Sequence, residues 1–207
     1  MSLLVGLTGG MGSGKTVAAS FFKELGAHIL DADLICRKLT EPGQPAWVEI
    51  SEQFGKEIFD SSGNLDRKKL AEIVFFDQEK KRILEGILHP KVFEYEKREY
   101  GVIRRQCPNA LVILDAALLI ESGNNKNMDK VVVVNSDEKT RITRILARSE
   151  LSHKEVMARI KAQMPNEEKL KYADFILQNN SSQKVLKAEV KSLHKLLSQL
   201  ALENTGK

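Results

Sequence analysis

Two cysteines in 207 residues are too few for a disulfide framework. Cys36 and Cys107 also lack the spacing of zinc ligands, so both read as reduced structural thiols. No apolar stretch is long enough to span a bilayer, and there is no internal repeat and no low-complexity segment. Met1-Ser2-Leu3-Leu4 runs into the first apolar run without a charged leader, so the expected location is the cytoplasm and no membrane partner is expected. Charge of one sign is also scarce: the net charge of +4 is a small excess, and Lys and Arg are interspersed with Glu and Asp in the manner of a solvated surface. No nucleic-acid-binding motif accompanies it, so nucleic acid is not an expected partner. A modest positive balance suits an enzyme acting on polyanionic substrates.

What is present is an ordinary globular composition, 42% hydrophobic and 29% charged, long enough for one α/β core with a subdomain. Residues 9–16 read Gly-Gly-Met-Gly-Ser-Gly-Lys-Thr, matching G-x-x-x-x-G-K-[ST], between an apolar run at 3–7 and a helical pattern beginning near Val17. Glycine allows the backbone to turn successive N–H groups inward around a phosphate. The nucleotide-binding set is therefore Met11, Gly12, Ser13, Gly14, Lys15, Thr16 and Val17. Lys15 reaches the β- and γ-phosphates of the nucleotide, and Thr16 offers its hydroxyl to Mg²⁺.

Apolar runs at 3–7, 28–30, 111–114, 131–134 and 175–177 predict five buried strands with helical patterns between them. Continuous rather than alternating runs indicate a parallel sheet covered on both faces. The interval 40–108 breaks the alternation, with helical stretches at 46–54, 66–75, 79–88 and 91–105, and reads as a helical insertion suited to holding a second substrate. His89-Pro90 is expected to open the last of these, Pro90 taking a first-turn position. A basic helical segment over 136–163 is a candidate lid. The last segment, 181–202, carries Val185, Leu186, Val190, Leu193, Leu196, Leu197 and Leu200 as a core-facing stripe, and 203–207 reads as a frayed tail. The expected organisation is a core of 1–39 and 109–207, with a lid at about 137–163, and an insertion of 40–108.

Asp31-Ala32-Asp33 follows the second strand, at the edge where an open α/β sheet gathers its ligands. One of the two carboxylates can orient an acceptor hydroxyl and take its proton; alternatively Asp33 caps the helix at 34–39. Asp115 ends the third strand, where an acid contacts Mg²⁺ directly or through water, with Asp31 or Asp33 as competitors for that role. Arg144 and Arg148, four apart on one helix face, suit the spread charge of a transferring phosphoryl group.

Taken together, the chain resembles the dephospho-coenzyme A kinase family over nearly its whole length. The matching pieces are Gly6-Leu7-Thr8-Gly9-Gly10 with the loop, Leu30-Asp31-Ala32-Asp33, Phe54-Gly55, Leu65-Asp66-Arg67, Leu88-His89-Pro90, Leu118-Leu119-Ile120-Glu121, Gln163, Ala173-Asp174 and Asn179. The resemblance implies an α/β P-loop fold like that of nucleoside monophosphate kinases, with a five-stranded parallel sheet, a coenzyme-A-binding helical insertion and a helical lid. It implies ATP- and Mg²⁺-dependent phosphorylation of the 3′-hydroxyl of dephospho-coenzyme A, the last step of coenzyme A synthesis. It further implies Asp33 as catalytic base, Arg144 in the phosphate-binding set, Asn179 near the adenine, and Arg67 and His89 in the acceptor region. A monomer or weak homo-oligomer is expected. Three positions depart from the family pattern: Val17 follows Thr16 where a second hydroxyl is usual, Ala117 replaces a proline, and Arg141 stands where glutamine is common.

The nearest rival is another small-molecule P-loop kinase, such as one acting on nucleoside monophosphates. A nucleotide-dependent switch is a different class. Its D-x-x-G match at Asp60-Ser61-Ser62-Gly63 does not follow a strand and reads as a turn, and Asn125-Lys126-Asn127 continues to Met128 rather than Asp.

Overall fold

The computed structural model describes residues 2–203. Of the expected tail only Glu203 falls among them, as the last residue of a helix; 204–207 lie outside the described residues. The chain forms two compact units, one of residues up to Asp31 together with those from Tyr100 onward, the other of Ala32–Glu99.

The first unit is built on the five expected strands: β1 Leu3–Gly9, β2 His28–Asp31, β3 Leu111–Asp115, β4 Lys130–Asn135 and β5 Phe175–Gln178, but only β1, β3 and β4 are buried as expected, since β2 and β5 lie at the sheet's ends and are only partly covered. All pairings are parallel, in the order β2-β3-β1-β4-β5. Alternate residues explain why the apolar runs are continuous. Leu3, Val5, Leu7, Leu111, Ile113, Val132, Val134 and Leu177 share a core with α1 (Lys15–Glu24) and α9 (Gln183–Glu203), while Val112, Leu114, Val131 and Val133 are buried between them in sequence. Gly6 in β1 lets Leu119 and Met128 approach the sheet backbone where a β-carbon would collide with Leu119. Full burial of a side chain the size of Phe22, which lies in this core, is worth about 1.5–3 kcal/mol.

Along α9 the buried residues are Leu186, Val190, Leu193, Leu197 and Ala201. The expected stripe is narrower than the apolar sequence: Val185 and Leu196 are exposed, because a helix presents only about a 100° arc to a flat neighbour. The basic segment expected at 136–163 is two helices, α6 (Glu138–Arg148) and α7 (His153–Lys161). The break follows from Ser152 and Glu155, which form a reciprocal capping box and start a new helix. A short helix, α8 (Asn166–Leu170), precedes β5.

The second unit is helical, with α2 (Ala32–Leu39), α3 (Pro45–Phe54), α4 (Arg67–Phe76) and most of α5 (Gln78–Gln106). Ala46, Ile50, Phe54, Ile58, Leu70 and Ile87 form its core. Asp66 caps α4 by accepting from the Lys68 and Lys69 amides. Asp60 to Gly63 is a turn, closed by the Gly63 amide on the Asp60 carbonyl, and the Asn64 amide bonded to the Asp60 carboxylate holds its pKa below the usual range. Pro90 does not open a new helix: it lies inside the 29-residue α5. Proline there removes one backbone hydrogen bond and crowds the carbonyl four residues back. That residue is Gly86, and buried Ile87 and Val92 anchor the helix on either side of the proline.

Candidate active site

The carboxyl ends of the five strands deliver most of the polar groups of interest to one edge of the sheet unit. β1 runs into the loop at 9–16, β2 ends at Asp31, β3 at Asp115, β4 at Asn135, and β5 at Gln178, followed by Asn179. Parallel register places Asp31 opposite Asp115, and Asp115 opposite Leu7. Open α/β sheets bind ligands at this edge.

The loop geometry depends on two glycines. Gly12 and Gly14 have φ of 80° and 92°, in the left-handed region that costs other residues energy, and Gly14 directly precedes α1. There is no room for side chains either. A β-carbon at Gly12 would lie 2.7 Å from the Arg141 carbonyl, and one at Gly14 would collide with the Asn179 amide. The loop thus brings a run of backbone amides to the N-terminus of α1, where the helix dipole also favours an anion. Lys15, the first residue of α1, pairs its ammonium with the buried carboxylate of Asp115.

A web of amide side chains holds the loop from behind. Asn179 is buried; its Nδ2 donates to the Ser13 carbonyl at 2.7 Å and its backbone amide donates to the Asn135 carbonyl at 2.8 Å. Asn166, also buried, accepts from the Gly10 amide at 3.2 Å and donates to the Asn135 side chain, whose own amide donates to Gln178 at 3.1 Å. The Met11 amide donates to Gln163 at 3.1 Å. Arg144 donates to the Asn179 carbonyl at 2.8 Å and more weakly to Ser136. It is therefore held beside the loop, while Arg148, one turn further along α6, is exposed.

A second support lies under the turn after β3. Lys169 is fully buried, with its ammonium 2.8 Å from Glu121 and 2.8 Å from the Ala117 carbonyl. Thr8 donates to the same carbonyl at 3.2 Å, and Glu121 also accepts from the Met164 amide. A carbonyl with two donors fixes the turn although Ala117 lacks the ring of proline.

In the helical unit, Asp33 is exposed within the first turn of α2. It stands inside the helix and not before it, so the expected capping position is displaced toward Asp31, because the helix begins two residues earlier than the sequence pattern suggests. Arg67 donates to the Thr40 hydroxyl at 2.7 Å. Cys36 shares this surrounding: burial raises its thiol pKa, partly opposed by the charge of Arg67. His89 stacks on Phe93 one turn along α5, with ring centroids 5.8 Å apart.

The structure therefore brings Met11–Val17, Lys15, Asp115, Arg144 and Asn179 together in the sheet unit. Asp33, Arg67 and His89 belong to the helical unit, and Asp31 is the last residue of the sheet unit before it. Sequence reasoning overlooked Asn135, Asn166 and Lys169. Asn166 and Lys169 look like surface residues in a polar stretch, and only their burial gives them away.

The donor set also fits magnesium. Thr16 exposes a side chain next to Lys15, and Asp31 and Asp115 are adjacent on the sheet edge. Among the described residues no group of three or more His, Cys, Asp or Glu forms a cage. Magnesium needs no such cage, since it keeps several waters and takes only one or two protein oxygens beside substrate phosphates.

A glycine-shaped phosphate loop after the first strand of this five-stranded parallel sheet defines a P-loop kinase fold. The sequence profile of dephospho-CoA kinase matches residues 3–184, and the chain belongs to the dephospho-CoA kinase family. It is 41% identical to the dephospho-CoA kinase of Aquifex aeolicus over 94% of this chain and 97% of that one. Against the enzyme of Oceanobacillus iheyensis it is 44% identical, over 88% of this chain and 91% of the relative. The solved dephospho-CoA kinase of Campylobacter jejuni superposes with a TM-score of 0.72 at 29% identity, covering 96% of this chain and 98% of that one. The family uses ATP as phosphoryl donor, with Mg²⁺, in the last step of coenzyme A synthesis. Among the described residues no helix is long and apolar enough to cross a membrane.

Proposed function

We propose that this chain transfers the γ-phosphoryl group of ATP to the 3′-hydroxyl of dephospho-coenzyme A. The observation that carries the donor half is the paired Lys15 and Asp115 at the end of a loop shaped by Gly12 and Gly14. Amides from Met11 to Val17 bind the phosphate chain, and Lys15 stabilises charge on the β- and γ-phosphate oxygens. Arg144, already oriented by Asn179, neutralises charge on the transferring group, and Arg148 adds to the phosphate-binding set. Asn179 borders the nucleotide's base. Thr16 and Asp115 hold magnesium, directly or through water; bound there, the ion neutralises charge on the phosphate oxygens.

Asp33 accepts the proton of the 3′-hydroxyl and orients that oxygen for in-line attack, with Asp31 assisting at the acceptor. Arg67 and His89 contribute to acceptor binding, and residues 40–108 hold the coenzyme A portion. The segment at about 137–163 serves as a lid that excludes water during transfer. We assign the protein to the cytoplasm, as a monomer or weak homo-oligomer that acts without nucleic acid or membrane.

The test is ADP release by the purified protein with dephospho-coenzyme A, AMP, CMP or no acceptor. The expected result is rapid release with dephospho-coenzyme A alone; equal rates in all four reactions would overturn the acceptor assignment.

A further inference from the structure

Arg141 is the cation whose surroundings the reaction described above does not explain. It lies in the second turn of α6 and is only 6% exposed. Its guanidinium is pressed against the phosphate loop: a β-carbon on Gly10 would stand 2.5 Å from Nη1. Its Nε is buried without an acceptor, and among the described residues no carboxylate, carbonyl or amide oxygen is hydrogen-bonded to the guanidinium. Three other cations near the loop have partners. Lys15 has Asp115, Arg144 has Asn179, and Lys169 has Glu121 and Ala117.

A guanidinium stays charged at all ordinary pH, so it cannot relieve its burial by losing a proton. A largely buried charge with an unpartnered nitrogen is unfavourable, and its partial removal from water is offset by hydrogen bonds or by an opposite charge brought close. Among the described residues no carboxylate forms an ion pair with Arg141, and its Nε has no hydrogen-bond partner. The surface against which Arg141 lies is the loop that collects a polyphosphate, and that ligand brings several negative charges into a region of low dielectric where they act over more than contact distance.

We infer that Arg141 is a nucleotide-dependent charge partner, a positioning residue whose counter-anion is the polyphosphate of the bound nucleotide, acting across the Gly10 end of the loop. The inference rests on the reading of 9–16 as a nucleotide site. It has a double consequence: Arg141 strains the ligand-free protein and favours the nucleotide-bound one.

The experiment measures ADP and non-hydrolysable ATP-analogue binding by calorimetry, and melting temperature with and without each ligand. The proteins are the wild type, Arg141→Gln, Arg141→Met and Arg141→Lys. Expected for Gln and Met is an affinity about tenfold weaker, equivalent to about 1.4 kcal/mol, for both nucleotides. Their ligand-free melting temperatures should equal or exceed that of the wild type, and their ligand-induced rise should shrink. Lys should restore most of the affinity, because it keeps the charge. Affinity within twofold of wild type in Gln and Met would overturn the inference. So would a loss of affinity accompanied by a lower ligand-free melting temperature in all three variants, which marks a packing role. Failure of the wild type itself to bind either nucleotide would overturn the underlying nucleotide-site reading, a result distinct from normal wild-type binding that the variants share.

Discussion

The sheet unit and the helical unit solve opposite problems. The first buries three strands, β1, β3 and β4, between α1, α9 and the segments on the other face, and on that base it arranges a dense polar web of Asn135, Asn166, Asn179, Gln163 and Arg144. The second has a small core, Ala46, Ile50, Phe54, Ile58, Leu70 and Ile87, and its candidate residues Asp33 and Arg67 are exposed. A phosphate cradle must be shaped before the ligand arrives, because its backbone amides act only when already aligned. Under the assignment proposed above, the second unit receives a large, flexible substrate and can be looser, since low local stability is where moving elements are found.

The most severe break of this comparison is Lys15→Ala, which strikes the sheet side. Turnover should fall on the order of 10³-fold, as for loss of a preorganised charge stabiliser, measured by coupled ADP release. Asp33→Asn strikes the other side, and turnover should fall by roughly 10²- to 10⁴-fold while ATP-analogue affinity, read by calorimetry, stays near wild type. Near-normal turnover would remove Asp33 from the role of base.

Stability variants sharpen the contrast. Ile50→Ala empties a fully buried position in the small core and should cost about 2–5 kcal/mol. Hydrogen exchange should show protection lost in α3 and α4 while β1, β3 and β4 keep theirs; uniform loss would mean that the two cores melt as one. Lys169→Met leaves Glu121 without its cation, and because Glu121 is partly solvated the cost should sit near the lower end of the roughly 3–5 kcal/mol expected for a broken buried pair. That loss should appear as a lower melting temperature. The smallest effect uses the two thiols, one in each unit. Exposed Cys107 should react with a thiol reagent at once, and Cys36 more slowly, since burial holds its thiol pKa above the usual value and keeps it protonated. Mild denaturant should accelerate Cys36 before the sheet unit unfolds; equal initial rates would contradict the burial of Cys36.

The sequence displayed the sheet unit more fully than the helical one. Strands buried on both faces leave unbroken apolar runs, and the loop motif leaves its glycines, so both were legible. Pro90 was misleading because a helix-breaking residue can persist where Ile87 and Val92 hold the helix on either side. The Ser152-Glu155 capping box was a readable signal that the charge pattern around it concealed. Asn166 and Lys169 left no signal at all, since a polar residue in a polar stretch reveals its burial only when the chain around it has closed.

The alignment of Leu7, Asp115 and Asp31 across β1, β3 and β2 has one more consequence. A strand displaced by one residue turns every side chain to the opposite face, so a misaligned β3 would offer Leu114 at the edge in place of Asp115. Such a molecule could be compact and still inert. Enzyme activity regained after refolding is thus a census of molecules whose three strands have met in the right frame, a count that spectroscopic measures of sheet content would overstate.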